Sequence, residues 1–402
     1  MFKRQLKEKL KTAVSQYPVV TLTGPRQSGK TTLVRDTFGD YTYVSLELPD
    51  EREFAINDPK GFLAQFDGPA ILDEAQRAPA LFSYLQVLTD ERRRPGQFIL
   101  TGSHNFLLMR QISQSLAGRC AVLHLLPLSL AELENRHPIA PHMLGHRQSI
   151  RRRVGHAPPR LAELLFTGLY PRVHDQHLPA REWLANYYQT YLERDVRNVL
   201  NVGDLETFRR FVQLCAGRNG QLLNYSGLAS DCGVTHTTAR RWLSVLEASF
   251  VIVLLRPYHR NFGKRIVKTP KLYFLDTGLA CMLLNIRTSE ELHHHSARGA
   301  LFEAFVFAEL YKNFVHRGEP LPPPLYFWRD VSGHEIDLLL DWGDEVLPID
   351  VTASQTLAGE AFRALRFWKS LRHHVHAPAA LVYAGEQAVQ REGTIVYPWC
   401  DL

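Results

Sequence analysis

The stretch Gly24-Pro25-Arg26-Gln27-Ser28-Gly29-Lys30-Thr31-Thr32 constrains this chain more than any other. It fits G-x-x-x-x-G-K-[ST], the spacing of a loop whose backbone amides cradle phosphate oxygens. Val19-Val20-Thr21-Leu22-Thr23 before it reads as a β-branched, mostly apolar strand, and Leu33 to Phe38 after it as a helix stopped by Gly39. A strand, a glycine-bearing loop and a helix in that order belong to a parallel α/β sheet. Gly24 and Gly29 let the main chain bend where a Cβ would clash. Lys30 is placed to neutralise β- and γ-phosphates and the Thr31 hydroxyl to ligate Mg²⁺. In a 402-residue chain the four fixed positions match by chance about one time in a hundred. ATP with Mg²⁺ is therefore the expected ligand.

Three further stretches extend this reading. Gly68-Pro69-Ala70-Ile71-Leu72-Asp73-Glu74 is an apolar strand ending in two acids. Behind a phosphate loop, Asp73 is expected to hold the Mg²⁺ shell, and Glu74 to orient and deprotonate the attacking water. Gln97 to Ser103 is a buried strand that turns polar at its carboxyl end, where a parallel sheet faces its ligand. Thr101 or Ser103 is thus placed to sense the γ-phosphate. Arg119 follows a helix-ending Gly118; it reads either as a cation for transition-state charge, in its own subunit or a neighbour's, or as a surface arginine. Cys120 to Leu125 closes the sheet, and Leu6, Leu10 and Val14 mark an opening helix.

Gly-Pro-Arg-Gln-Ser-Gly-Lys-Thr-Thr, Leu72-Asp73-Glu74-Ala75-Gln76, Ile99-Leu100-Thr101-Gly102-Ser103, Leu116-Ala117-Gly118-Arg119 and Leu126-Pro127-Leu128-Ser129 occur in that order. The set resembles the prokaryotic AAA+-type ATPases, and more narrowly the branch with a conserved C-terminal region of undefined function. Gly168-Leu169-Tyr170-Pro171, Tyr191 to Asp195 and Leu275 to Leu279 look like that region. The resemblance implies ATP binding, with hydrolysis, and admits a homo-oligomer. Members of the branch tend to have Gly-Gly where this chain has Gly168-Leu169.

The fold class expected is α/β: a P-loop domain at 1–135, a linker and helical segment at 136–200, a mostly helical winged-helix region at 201–290, and a further α/β domain at 291–402. The 136–159 stretch is rich in Pro, His, Gly and Arg, and Arg147, Arg151, Arg152 and Arg153 make it a solvated basic loop or a nucleic-acid contact. Trp183, Tyr187, Tyr191 and Asp195 share a helix face, a spacing that usually serves packing. Between Leu223 and Ala248, Gly233 separates a short helix from Thr235-His236-Thr237-Thr238-Ala239-Arg240-Arg241-Trp242, whose polar side chains suit a major groove of double-stranded DNA. Val251–Leu255 and Lys271–Leu275 read as a hairpin wing with Arg260, Lys264, Arg265 and Lys268 at its tip.

The last domain reads helix, three strands, helix, strand. That order resembles the restriction-endonuclease-like core, in which three acids bind Mg²⁺ beside a lysine. The resemblance assigns Glu303, Asp337 and Asp350 to the acids and puts Thr352 at the lysine position. Threonine carries no charge to stabilise an attacking hydroxide, so an inactive module is expected. Lys369 is the nearest substitute in sequence.

Composition narrows the class. At 45% hydrophobic and 22% charged residues the chain carries more than one core, and its net charge of +6 permits an anionic partner without demanding one. Its five cysteines are scattered without C-x-x-C spacing, which argues against a disulfide framework or a zinc site. No run approaches about 18 apolar residues, so a membrane partner is not expected and a cytoplasmic location is.

Overall fold

The computed structural model describes residues 2–103, 105–150, 160–192, 205–258, 268–372 and 378–402. The basic run Arg151–Arg153, the Glu193–Asp195 segment and the hairpin-tip residues Arg260, Lys264 and Arg265 lie outside them. The chain divides into two compact units. One holds residues up to Leu128 together with Ala248–Phe250 and Val315–Pro320; the other holds the remainder.

The first unit is built on a five-stranded parallel sheet of β1 (Val19–Thr23), β2 (Thr42–Ser45), β3 (Ala70–Asp73), β4 (Phe98–Gly102) and β5 (Cys120–His124). Their order across the sheet is β2-β3-β4-β1-β5. β1, β3 and β4 are buried at every position because both their faces are covered, whereas the edge strand β2 (Thr-Tyr-Val-Ser) is only half-buried. Val20, Leu22, Ile71 and Ile99 pack with Leu6 and Leu10 of the opening helix Leu6–Gln16 and with Leu33 and Val34 of the helix Lys30–Thr37. Val19, Leu72, Phe98 and Leu100 face the other way, onto Phe62, Leu81, Phe82, Leu85 and Leu116. Alternation thus splits each strand between two cores, and each buried side chain contributes roughly 1.5–3 kcal/mol.

The second unit begins with short helices, among them Leu161–Thr167 and Ala180–Tyr187. Trp183 and Tyr187 stack at 5.3 Å, so that part of the aromatic face is packing. Helices Leu205–Gly217, Tyr225–Cys232 and His236–Ala248 follow, then an antiparallel hairpin of β6 (Ile252–Leu255) and β7 (Lys271–Phe274). A bridge from Leu222 to Lys271 adds a third short strand segment to that hairpin. Gly233 adopts a left-handed conformation that ends Tyr225–Cys232 and frees the next helix to change direction.

The C-terminal sheet holds β8 (Leu325–Arg329), β9 (Glu335–Asp341), β10 (Val346–Thr352), β11 (Ala380–Tyr383), β12 (Val389–Arg391) and β13 (Thr394–Pro398), in the order β12-β13-β11-β10-β9-β8. It is mixed: β8, β9 and β10 are antiparallel neighbours, whereas β10, β11 and β13 run parallel. The helix Arg363–Arg372 lays Leu365 and Trp368 against Trp328, Ile336 and Leu381. The expected last strand is followed by a hairpin, β12–β13, which was not anticipated; Gly393 makes its turn with a positive φ of 65°. Among the described residues no helix is long and apolar enough to cross a membrane.

Candidate functional site

The phosphate loop leaves the carboxyl end of β1, the strand flanked by β4 and β5 where the sheet order changes direction. Gly24 sits at φ 147°, and a Cβ there would overlap the carbonyl oxygen of Leu125; no other residue fits. Gly29, at φ 92°, delivers the chain into the helix that starts at Lys30. Gln27 also takes a positive φ, 62°, a backbone conformation that recurs in anion-binding loops. The loop is pinned from outside by Arg4, which donates from Nη1 to Ser28 O and from Nη2 to Leu126 O, each at 2.6 Å. No sequence motif announces Arg4.

Lys30 is buried, and its Nζ donates to Gly24 O (2.9 Å) and Pro25 O (2.8 Å) across the loop. Burial lowers its pKa to about 8, opposed by the charges of Glu74 and Asp73 and aided by Arg26. Asp73, at the end of β3, accepts three hydroxyls. Thr31 Oγ1 donates at 3.0 Å and Tyr43 OH at 2.8 Å, both to Oδ2, and Thr101 Oγ1 donates to Oδ1. β2 and β4 flank β3, which is why Tyr43 and Thr101 reach the same carboxylate. Burial, then the charge of Asp73, pushes Tyr43 up to about 12, so it remains a donor.

Glu74 leaves the strand in a left-handed conformation, φ 56°. Its Oε2 accepts from Ser103 Oγ (3.1 Å) and from Gln76 Nε2. Burial alone would raise its carboxyl, but Lys30, the Gln76 hydrogen bond, Arg26 and Ser103 together hold it below the ordinary range. Thr101 and Ser103, weighed together from the sequence, therefore each hold one of the two acids. A Thr31 hydroxyl and an Asp73 carboxylate in contact form an all-oxygen donor set, the kind Mg²⁺ takes, and a buried ammonium inside a bent amide loop fits a polyphosphate.

Arg119 is the expected residue that the structure does not bring here. It precedes β5 at the end where Cys120 pairs with Val19, about 13 Å of strand from the loop. Its guanidinium is instead bidentate to Asp90, at 2.6 and 2.8 Å. The assignment of Arg119 to its own subunit's phosphate site is corrected accordingly: parallel register carries it to the wrong edge.

The second unit gathers Glu303, Asp337 and Asp350, but around an ammonium. Lys271 Nζ lies 2.9 Å from Glu303, 2.5 Å from Glu335 and 3.9 Å from Asp337. The Mg²⁺ role that the resemblance assigned to Glu303, Asp337 and Asp350 is corrected accordingly, and among the described residues no group of three or more His, Cys, Asp or Glu is placed to hold a metal ion. Burial raises Glu303 to about 7 and Asp350 to about 6, and it lifts Asp337 well above the ordinary carboxylate range. Lys369, the nearest substitute in sequence, donates to Glu392 O and Gly393 O at the β12–β13 turn, each at 3.1 Å, and is spent there. The lysine came from β7, about 80 residues before Thr352, and no local spacing could have found it.

Comparison with known proteins follows the same outline. An AAA domain model matches residues 16–134, and two models described as domains of unknown function match 158–290 and 298–402. An uncharacterized protein of Mycobacterium tuberculosis is 32% identical over 397 residues, which cover 98% of this chain and 82% of that one. A Walker-type ATPase of Pyrococcus abyssi superposes at TM-score 0.41 and 17% identity over 69% of this chain and 94% of that one. The Thermotoga maritima RuvB Holliday junction branch migration motor does so at 0.32 and 18%, over 62% and 88%. Those superpositions are too loose to argue from; the sheet, the loop and the mycobacterial relative are not. The chain belongs to a family of prokaryotic AAA-type P-loop ATPases that carry a C-terminal region of unknown function.

Proposed function

We propose that the chain binds ATP with Mg²⁺ at the Gly24–Thr32 loop and hydrolyses it. The observation that carries this is the convergence of Thr31, Thr101 and Tyr43 on Asp73 beside the buried Lys30. The amides of Pro25 to Thr32 and the Lys30 ammonium would grip the β- and γ-phosphates. Thr31 and Asp73 would hold Mg²⁺, which when bound supplies charge neutralisation at the phosphates. Lys30 would exchange the carbonyls of Gly24 and Pro25 for phosphate oxygens. Glu74, kept ionised by its surroundings, would orient a water and take its proton, and Thr101 would report the γ-phosphate through Asp73. We place the ATPase domain at 1–135, the linker and helical segment at 136–200, the winged-helix region at 201–290 and the restriction-endonuclease-like domain at 291–402.

Lys30→Ala tests the reading. Binding of a fluorescent ATP analogue should fall at least tenfold and turnover should vanish while the melting temperature stays near that of the parent. Turnover at the parental rate would overturn it.

A second reading adds DNA. Along the helix His236–Ala248, the side chains of Ala239, Trp242, Leu243 and Leu246 are buried, whereas His236, Thr237, Arg240 and Arg241 are exposed. With the helix before it and the β6–β7 hairpin after it, that exposed polar face suits the recognition helix of a winged-helix domain.

A further inference from the structure

We propose that Lys271 is a tethered cation that fills the acid cluster of the second unit, so that this cluster works as a joint between the β6–β7 hairpin and the C-terminal sheet and takes up no divalent ion. Lys271 is 2% exposed, and its Nζ is in ion-pair contact with Glu303 on the helix Arg298–Val315 and with Glu335 and Asp337 on β9. Further donors reach the same three carboxylates. Tyr273 OH donates to Glu303, Arg329 Nη1 to Glu335 Oε2 at 2.7 Å, and Val351 N to Asp337 Oδ2 at 2.9 Å. The ammonium also lies 5.9 Å from the ring centre of Tyr273 and 5.7 Å from that of Phe327.

Two physical reasons make the lysine the resident. A side chain already delivered by its own strand binds at an effective concentration that a free ion does not match. Mg²⁺ moreover sheds its waters reluctantly and needs near-octahedral oxygens, whereas Glu303 Oε1 and both oxygens of Glu335 and Asp337 already face N–H or O–H donors here. The backbone of Lys271 pairs with Leu255 in β6 and bridges Leu222, so the ion pairs fasten the hairpin to the sheet's acids directly. A buried lysine without its carboxylates, or the carboxylates without it, is a heavy desolvation cost, which is what makes the joint selective for this partner. The module's contribution is then mechanical linkage rather than phosphodiester cleavage, whatever the nucleotide site does.

The test uses the full chain without nucleotide, and reads Mn²⁺ binding by electron paramagnetic resonance together with the melting temperature. Wild type and Asp337→Asn should bind Mn²⁺ equally. Lys271→Met should melt roughly 5–15 °C lower. Millimolar Mn²⁺ should restore part of that loss by entering the emptied place, and should restore none in Lys271→Met/Asp337→Asn. Mn²⁺ binding in wild type that Asp337→Asn removes would overturn the proposal, as would a Lys271→Met variant as stable as the parent. If Lys271→Met does not fold, the comparison of wild type with Asp337→Asn decides.

Discussion

Glu74 and Lys30 owe their chemistry to surroundings that residue type does not specify. Glu74 is turned out of β3 by its own left-handed backbone and kept ionised by Lys30, Gln76, Arg26 and Ser103. Glu74→Gln keeps the shape and the Gln76 and Ser103 neighbours but cannot accept a proton. ATP binding should persist within a few-fold while turnover drops about 10²–10⁴-fold; a variant with parental turnover would remove Glu74 from the reaction. Lys30 carries a pH consequence. Its pKa is depressed to about 8, so the cationic form dominates below that pH and is lost above it. A polyphosphate binds the cation, so binding takes up a proton once the medium passes about pH 8. Affinity for ATP should therefore be level from about pH 6.5 to 8 and weaken up to about tenfold per unit above it. Isotherms that tighten with rising pH would contradict this. Arg119 shows the limit of reading by residue type, since an arginine near a nucleotide motif in sequence proved to be the partner of Asp90 at the far edge.

At the scale of elements, periodicity was informative and pairing was not. Four strands of the first sheet, β1, β3, β4 and β5, were readable as apolar runs, as parallel strands under cover on both faces tend to be, and the helix Leu6–Gln16 because Leu6, Leu10 and Val14 recur at helical spacing. Turn chemistry marked Gly233. The β12–β13 hairpin escaped because β12 is short and polar, Val-Gln-Arg, with no alternation to report it. The helix His236–Ala248 supports a prediction of its own. Arg240→Ala/Arg241→Ala should weaken duplex DNA binding across sequences and flatten the slope of log affinity against log salt by about 2. Arg240 lies 5.1 Å from the ring centre of Tyr225, an exposed contact worth only about 0.5–1 kcal/mol, so the fold should survive. A gel shift series over salt with the parental slope would remove this helix from the interface.

For the molecule as a whole, each unit has a buried lysine set among acids at its candidate site, and Lys30 and Lys271 differ in how they are found. Lys30 is fixed by contiguous sequence: two glycines at set spacing, a strand before and a helix after leave its side chain little choice, so loop, ligand class and fold class follow from local order. Asp73 and Glu74 were readable as a strand end, because carboxyl ends of parallel strands share one edge. That Tyr43, Thr101 and Ser103 are the groups holding those acids follows from β2 and β4 flanking β3, and only the assembled sheet supplies that order. Lys271 is the opposite case. Its partners stand 32, 64 and 66 residues further along, on a helix and on β9, and its own strand pairs with β6. Chain order by itself therefore determined the phosphate site, since a phosphate cradle is made of consecutive backbone amides. Tertiary structure alone decided what neutralises the second set of acids, since electrostatic partnership depends on distance through space and leaves no period along the chain.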